Sequence, residues 1–361
     1  GHHRAHAASA FRCSNFDTSL IVTIDGMGDR VCAMLSYGDA NTITPLEIIK
    51  YPNSLGFMYT AFTNYLGYGG TNGHEGHESK IMGLAPYGSP QKDFSDVLTI
   101  RDGLYHVNPA YVNKNRIATI ERKFGPRLKS PSGEIAQHYK DIAATLQDSL
   151  EKAVIALVKR GLRIKPTDNL CVAGGSGLNC KMNGKIYLAG LIKNIFIQPA
   201  AGDCGNALGA ALECYAHLGH ASKFRLTHSY LGPEYSSDEI KKVLDECKIP
   251  YTYHENISDV CGKLLADKKI LGWFQGRMEW GPRALGNRSI IADPRDPKMK
   301  DQINDRVKRR EHWRPYCASV LTEEYNRYFE KGTPLSDFMI LAFPVKKETR
   351  NEIAAAVHVD G

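Results

Sequence analysis

The sequence predicts an α/β protein of two domains. The stretch NLCVAGGSGLNCKMNGKI has a short apolar strand, a glycine-rich turn and a helix start, and NIFIQPAAGDCGNALGAALECYAHLG repeats that order. Two strand–glycine–helix segments in succession are typical of α/β nucleotide-binding architecture. The chain has 361 residues, enough for two domains, and its composition changes across residues 216–235. We therefore expect a first domain over residues 1–222 and a second over residues 223–361.

Four further segments of the first domain precede the two strand–glycine–helix segments. A helical pattern runs from about His2 to Phe11. Alternating apolar residues on both sides of residues 25–29, the stretch DGMGD, predict a β-hairpin. A helix followed by a loop region is expected over residues 55–88, which are rich in Gly, Tyr and Asn. Residues 133–160 repeat apolar side chains at helical spacing and end at a glycine, which predicts a long helix.

The second domain is expected to be another α/β segment. Helices are predicted over residues 237–247 and 257–266, and strands at PYTYH and KILGWFQ. The motif GRMEWGPRALGNRS follows, and then the basic stretch PKMKDQINDRVKRREHWRP. That stretch has three open explanations: a solvated helix face, a nucleic-acid patch, or a site for small anions such as phosphates.

Composition narrows the class of protein. The chain is 42% apolar, and no apolar run approaches the length that spans a bilayer, so we expect a globular protein without a membrane partner. The nine cysteines are scattered and form no CxxC pair, which indicates reduced thiols in a cytoplasm. The net charge of +7 favours anionic partners.

Two histidines and two aspartates are candidate metal ligands. His2 and His6 lie four residues apart, which places both imidazoles on one helix face, whereas His3 points elsewhere. A tag remnant or an ordinary helix surface would also explain the pair. Asp25 and Asp203 each follow an apolar strand in a glycine-rich turn, where carboxylates point into the cleft of an α/β fold. Such a set suits Fe(II), Mn(II) or Zn(II).

Glycine turns at the strand ends are candidate nucleotide sites. Gly26, Gly174 and Gly175 would let the backbone approach a phosphate or a purine, although plain tight turns would use the same residues. Neither a P-loop nor a GxGxxG pattern is present. Glu78 and Lys80, in GHESKIMGLAPYG, form either a local ion pair or part of the cleft.

Basic residues of the second domain are candidate anion ligands. Arg283 and Arg288 lie in the motif EWGPRALGNRS, and Lys308 and Arg314 flank the stretch RREHW. Arginine forks suit phosphate and carboxyl oxygens, and lysine acts as a point charge. Structural ion pairs are the alternative explanation for each of them.

Six segments together resemble one family over residues 1–361. They are HHRAHAASAF, TIDGMGD, GHESKIMGLAPYG, AGGSGLNCKMNGKI, QPAAGDCGNALGAAL and GWFQGRMEWGPRALGNRSIIADPR. In this order they closely resemble the nodulation-type and antibiotic O-carbamoyltransferases. The resemblance implies an actin-like ATPase domain, related to the tRNA threonylcarbamoyl transferase protein, followed by a domain like the threonylcarbamoyl-AMP synthases.

The resemblance also implies a reaction and its site residues. Carbamoyl phosphate and ATP, with Mg, would form carbamoyl-adenylate in the second domain. The first domain would then pass the carbamoyl group to a hydroxyl of a small-molecule acceptor, such as a sugar, an aminoglycoside or another natural product. Fe(II) or another divalent metal would be bound in the first domain, and we expect neither membrane nor nucleic acid as a partner. The implied residues are His2, His6, Asp25 and Asp203 for the metal; Gly26, Lys80, Gly174, Gly175, Asn179 and Arg288 for the nucleotide; and Arg283, Lys308 and Arg314 for carbamoyl phosphate and catalysis.

The sequence also departs from the family pattern. The family has a strand and a phosphate-binding segment ahead of the HxxxH helix, and it continues beyond HVDG, so we expect a fragment of a longer enzyme. A relative of the tRNA-modifying threonylcarbamoyl transferases is one alternative, against which the fused GPRALGNRS segment argues. A non-catalytic basic nucleic-acid-binding or scaffold protein is another, against which the intact His2, His6, Asp25 and Asp203 argue.

Overall fold

The computed structural model describes residues 1–69, 77–129, 133–220, 223–331 and 336–361. It divides into two compact units. The first unit comprises residues 1–226 with the short segment 340–343 and residue 360, and the second comprises residues 227–339, 344–359 and 361. The boundary expected after residue 222 falls on residues that lie outside the described ranges.

Both units contain helices and strands, as the α/β class requires. In chain order the strands are β1 (Thr18–Gly28), β2 (Val31–Asp39), β3 (Thr42–Lys50), β4 (Leu98–Arg101), β5 (Leu104–Val107), β6 (Asn169–Ala173), β7 (Asn194–Ile197), β8 (Leu271–Phe274) and β9 (Arg288–Ile291). The α-helices are α1 (His2–Ser14), α2 (Leu55–Thr63), α3 (Glu78–Leu84), α4 (Arg116–Phe124), α5 (Gln137–Ile164), α6 (Cys180–Leu188), α7 (Asn206–His217), α8 (Ser237–Glu246), α9 (Ile257–Ala266), α10 (Met299–Gln302) and α11 (Tyr325–Tyr328).

A five-stranded mixed sheet organises the first unit, in the order β3-β2-β1-β6-β7. The predicted hairpin is confirmed, because β1 and β2 pair antiparallel. Strand β1 also pairs parallel with β6, and β6 with β7. The carboxyl ends of these three strands therefore meet at one edge of the sheet, where α/β proteins bind their ligands.

Helix α1 packs against this sheet and against α7. Its small residues Ala7, Ala8 and Ala10 join Phe11 in a fully buried cluster with residues of β1 and β6. A Cβ atom at Gly209 of α7 would lie 1.9 Å from the carbonyl oxygen of Ala5, so only glycine permits the observed approach of the two helices. The packing holds the first turn of α1 near the sheet edge at which the parallel strands end.

The predicted helices and strands of both units are largely confirmed. The predicted helix over 133–160 corresponds to α5, and both strand–glycine–helix segments form as expected, as β6 with α6 and β7 with α7. In the second unit, α8, α9 and β8 form where they were predicted. The strand predicted at PYTYH is wrong: those residues have no strand pairing, and Tyr253 is 79% exposed. The period-two pattern there lacks a neighbouring strand to pair with.

None of the helices in the described part of the chain combines the length and the hydropathy that crossing a bilayer requires.

Candidate functional site

Helix α1 brings two imidazoles together. The Nε2 atoms of His2 and His6 lie 3.1 Å apart, and the His6 side chain is fully buried. His3 points the other way, as its position on the helix predicts: its Nδ1 is 2.8 Å from the hydroxyl of Thr23 and its Nε2 is 3.0 Å from the carbonyl oxygen of Val31. Burial lowers the pKa of His3 to about 4, so His3 is neutral and anchors the helix.

Asp25 lies directly opposite the two imidazoles. Its Oδ2 is 2.9 Å from Nε2 of His6 and 3.4 Å from Nε2 of His2, while its Oδ1 accepts the N–H of Gly26 at 2.7 Å. Burial alone would raise the pKa of Asp25, but its contacts with His6, Gly26 and His2 outweigh that effect and hold the pKa well below its usual value. Asp25 is therefore a carboxylate throughout the physiological pH range.

Asp203 completes a four-residue cluster. It begins the short 3-10 turn Asp203–Gly205 between β7 and α7, and its Oδ1 lies 3.5 Å from Nε2 of His6 and 3.6 Å from Nε2 of His2. Its side chain is 77% exposed, in contrast to Asp25. One donor atom from each of His2, His6, Asp25 and Asp203 lies within 4.8 Å of all the others.

The donor set fits a divalent cation. Two imidazole nitrogens 3.1 Å apart cannot both carry a hydrogen on the sides that face each other, whereas two lone pairs converging on one cation satisfy both rings. Two imidazole nitrogens and two carboxylate oxygens are ligands that Fe(II), Mn(II) and Zn(II) accept. The structure thus brings together all four candidate ligands from helix, hairpin and turn.

Gly28 makes room for one of these ligands. A Cβ atom at Gly28 would lie 2.0 Å from Cγ of His2, so any side chain there would displace the imidazole. Gly26 is also crowded, since a Cβ atom there would lie 2.8 Å from the ring of Phe57. The glycines of the hairpin therefore serve side-chain packing at the cluster, and a nucleotide contact by Gly26 stays a prediction.

An ion-pair cluster ties α1 to α7 behind the candidate ligands. Glu213 of α7 accepts hydrogen bonds from Nε of Arg4 at 2.6 Å and from Nη2 of Arg12 at 2.5 Å. Arg12 is 1% exposed, so the pair is buried as well as charged. Because α1 carries the histidines and α7 follows Asp203 directly, these contacts fix the two halves of the cluster relative to each other.

The predicted nucleotide turn adjoins the cluster. Gly174 follows β6 with a φ of 92°, and a Cβ atom there would lie 2.2 Å from the carbonyl oxygen of Ile24. A Cβ atom at Gly175 would lie 3.1 Å from Oδ1 of Asp25. Asn179 ends the turn and caps α6 by accepting the N–H of Met182 at 3.0 Å. Gly174 and Gly175 therefore lie beside Asp25 at the same sheet edge.

Two polar residues at this edge were missed by the sequence analysis. Gln147 of α5 exchanges hydrogen bonds with Asn179, at 2.9 and 3.0 Å, and also accepts one from Tyr59. The side-chain nitrogen of Asn206 lies 3.2 Å from Nε2 of His6. The position of Asn206 three residues after Asp203 could have indicated it, whereas Gln147 lies in an otherwise ordinary amphipathic helix.

Glu78 and Lys80 start α3. Glu78 accepts a hydrogen bond from the hydroxyl of Thr60 at 2.6 Å, and Nζ of Lys80 lies 5.2 Å from the ring centroid of Tyr68. Glu78 thus joins α3 to α2. A role of Lys80 in nucleotide binding stays a prediction.

In the second unit, Glu279 organises the GPRALGNR loop. Its Oε1 accepts the backbone N–H groups of Leu285, Asn287 and Arg288 at 2.7, 2.8 and 3.2 Å. The guanidinium of Arg288 lies 3.6 Å from the ring centroid of Phe274 and donates to backbone carbonyl groups. The donors of Arg288 thus hold the loop together, and its contact with a nucleotide stays a prediction.

Arg283 and Arg314 are brought into electrostatic range of each other. Burial, and then the positive charges of Arg310 and Arg283, lower the pKa of Arg314. Arg310 was not singled out in the sequence, although it lies within the basic stretch. Lys308 is exposed at the end of the π-helical turn Ile303–Lys308, and its contact with carbamoyl phosphate stays a prediction.

Two family models match the sequence of this chain. The family model described as "Carbamoyltransferase N-terminus" matches residues 1–212, more than half of the chain. The model described as "Carbamoyltransferase C-terminus" matches residues 262–361. The chain belongs to the carbamoyltransferase family.

Three relatives show how much of a longer protein this carbamoyltransferase chain represents. It is 39% identical over its full length to the nodulation protein NolNO of Sinorhizobium fredii and 37% identical to the nodulation protein NolO of Bradyrhizobium diazoefficiens, covering 53% and 66% of them. It is 41% identical to the protein sll1178 of Synechocystis, over 97% of the chain and 59% of that relative. The chain therefore spans between half and two thirds of the length of these relatives.

Proposed function

We propose that this chain is part of an ATP-dependent O-carbamoyltransferase. The second unit, expected to resemble the threonylcarbamoyl-AMP synthases, forms carbamoyl-adenylate from carbamoyl phosphate, ATP and one water, with release of phosphate and pyrophosphate. The first unit, expected to have an actin-like ATPase fold, passes the carbamoyl group to an acceptor hydroxyl and releases AMP. Family membership and the convergence of four donor groups beside the glycine turn support this proposal.

The candidate ligands are proposed to serve the transfer step. His2, His6, Asp25 and Asp203 would hold Fe(II) or another divalent cation at the sheet edge. A cation bound there supplies Lewis acidity toward a phosphoryl or hydroxyl oxygen. The partly buried, ionised Asp25 and the fully buried His6 provide a fixed half of the site, and the exposed Asp203 provides its open side.

The glycine turn would accept the adenylate next to the ligands. The absence of side chains at Gly174 and Gly175 lets the turn pack closely against Ile24 and Asp25, which puts its backbone beside the candidate ligands. The side chain of Asn179 is fixed by its bonds to Gln147 and to the backbone of α6. A polar group fixed before the ligand arrives loses little conformational entropy on binding.

In the second unit, arginines would bind the anionic donor. Arg283, Lys308 and Arg314 are proposed to contact carbamoyl phosphate, where their charges neutralise phosphate oxygens. The loop that carries Arg283 is closed by Glu279, which holds its backbone in one conformation. Preorganised positive charge of this kind stabilises negative charge that develops during the reaction.

The variant Asp203→Ala separates the two steps. In the full-length protein that contains this chain, we expect the variant to lose bound metal and carbamoyl transfer but to keep carbamoyl-adenylate formation. Metal is measured by plasma mass spectrometry, adenylate formation by exchange of labelled pyrophosphate into ATP, and transfer by mass spectrometry of candidate acceptors. Asp39→Ala, which removes an exposed carboxylate at the end of β2, is the matched control.

Two outcomes would contradict the proposed division of labour. If Asp203→Ala abolishes both half-reactions, the ligand cluster is not confined to the transfer step. If the variant loses neither, the cluster takes no part in the reaction.

A further inference from the structure

A fully buried amide lies at the centre of the basic segment of the second unit. Asn304 is 0% exposed and lies in the π-helical turn that ends at Lys308. Its Nδ2 lies 3.4 Å from the carbonyl oxygen of His312 and 3.2 Å from that of Arg314. Its Oδ1 accepts Nε–H of Arg310 at 2.8 Å and the hydroxyl of Tyr316 at 2.8 Å.

These four contacts use the whole hydrogen-bonding capacity of the Asn304 side chain. A primary amide has two donor hydrogens and an oxygen with two lone pairs. The donors bind the backbone of the loop that follows the π-helical turn, and the oxygen binds two side chains of the same loop. Asn304 is therefore the residue through which the conformation of residues 310–316 is set.

Arg310 is held on three sides. Besides the bond from its Nε to Asn304, its Nη2 lies 3.4 Å from the carbonyl oxygen of Pro315, and its guanidinium lies 4.7 Å from the ring centroid of Tyr316. The hydroxyl of Tyr316 binds the same oxygen of Asn304, so the ring and the amide support the guanidinium together. A long cationic side chain is thus fixed in one position on a partly buried surface.

The position of Arg310 brings like charges together. Asn304 binds both Nε of Arg310 and the carbonyl oxygen of Arg314, which ties these two residues together. Burial, and then the charges of Arg310 and Arg283, lower the pKa of Arg314. Glu311 opposes them, with its Oε2 3.7 Å from Nη1 of Arg314. Holding guanidinium groups near one another costs free energy through their mutual repulsion. A bound anion attracts all of these guanidinium groups and so offsets their mutual repulsion. Positive charges that are fixed in place before the anion binds stabilise it most effectively.

We propose that Arg310 is a third guanidinium of the phosphate-binding site formed with Arg283 and Arg314, and that Asn304 is its positioning residue. The inference rests on the proposed function, because carbamoyl phosphate is the anion assigned to this unit. It adds one binding residue and one positioning residue that the sequence motifs do not indicate. The recognised group is the phosphoryl group, whether it belongs to carbamoyl phosphate or to inorganic phosphate.

The first test compares two arginines of the same segment. Dissociation constants for carbamoyl phosphate and for inorganic phosphate are measured by calorimetry on the full-length protein. We expect Arg310→Gln to weaken binding of both by about tenfold or more, as the loss of a charge-assisted hydrogen bond requires. Arg306→Gln removes an exposed charge four residues earlier and is the matched control, with less than about a twofold effect expected.

The second test asks whether Asn304 acts through Arg310. We expect Asn304→Ala to weaken phosphate binding in the native background and to add little when Arg310 is already glutamine. A merely structural role would give independent effects that add. Asn304→Asp, which keeps the acceptor oxygens and loses both donors, serves in the same cycle if the alanine variant does not fold.

The outcomes separate this inference from the proposed function. If the wild type binds carbamoyl phosphate and Arg310→Gln binds it equally well, the inference is overturned and the proposed function is kept. Binding of inorganic phosphate alone, weakened in Arg310→Gln, supports the site but contradicts carbamoyl phosphate as its ligand. Additive effects of Asn304→Ala and Arg310→Gln refute the positioning role, and binding of neither anion by the wild type overturns both proposals.

Discussion

The contact between Gly28 and His2 predicts a large effect from a single methyl group. In Gly28→Ala the new Cβ would lie 2.0 Å from Cγ and 2.1 Å from Cδ2 of His2. Ordinary carbon–carbon contacts begin at about 3.5 Å, so the imidazole must move by roughly 1.5 Å. Metal–ligand distances tolerate only about 0.2 Å, so we expect the variant to lose His2 as a ligand of the proposed cation.

The expected magnitude follows from that displacement. Disturbing the support of a ligand costs about 10- to 100-fold in metal affinity, and displacing the ligand itself costs at least as much. Overpacking adds about 1–3 kcal/mol of lost folding stability. We expect a competition titration with a chelator to show the loss in affinity, the visible absorption of bound Co(II) to show the altered ligand set, and urea unfolding to show the loss in stability.

A double-mutant cycle tests whether the clash is the cause. In a His2→Ala background the space occupied by the imidazole is empty, so Gly28→Ala should cost almost nothing further in metal affinity or stability. Native-like metal affinity in Gly28→Ala would refute the reasoning. The same losses in the His2→Ala background as in the native one would show that Gly28 acts through something other than His2.

Two carboxylates support further predictions. Glu213→Gln leaves the buried guanidinium of Arg12 without its counter-charge, and we expect it to lower the free energy of unfolding by about 3–5 kcal/mol in urea titrations. Burial opposes ionisation of Glu213, but Arg12 and Arg4 outweigh it and lower the pKa of Glu213. The stabilisation by the Glu213 carboxylate is therefore present above the usual glutamate pKa and is lost as the pH falls. A difference in stability between wild type and Glu213→Gln that grows on acidification would contradict this. Glu279→Ala removes the acceptor of three backbone N–H groups, and hydrogen exchange at Leu285 and Asn287 should accelerate while exchange in the first unit stays unchanged. Unaltered exchange at those amides would show that the loop does not depend on Glu279.

The sequence was sufficient to predict the candidate ligands. It was not sufficient to predict the contacts that hold those ligands and the neighbouring turn in place. The i,i+4 spacing of His2 and His6 and the turns after apolar strands identify positions that the fold brings within 4.8 Å. Local patterns carry that information because helix and strand periods determine which side chains share a face. The contact of Gly28 with His2 and the bonds of Gln147 to Asn179 join distant segments, and no local pattern encodes them.

Strand β3 shows why one element escaped detection. TITPLEIIK alternates imperfectly and contains Pro45, which argues against an interior strand. In the structure β3 is at the edge of the sheet, and Pro45 pairs with Ser36 next to an irregularity in the register. An edge strand tolerates a residue without an N–H group, so the proline and the strand are compatible.

The ion pair between Arg12 and Glu213 joins residues 201 positions apart, and Asn169 of β6 reaches back to Thr18 across 151 positions. Contacts so distant in sequence form late, because a long loop must close before they stabilise anything. As the ribosome releases the chain, the histidines and Asp25 emerge long before Asp203. Helix α1 stays uncovered until α7 has been synthesised and packs against it. Binding of the proposed cation therefore requires the contact between α1 and α7, and a divalent metal in a refolding buffer should raise the yield of native protein.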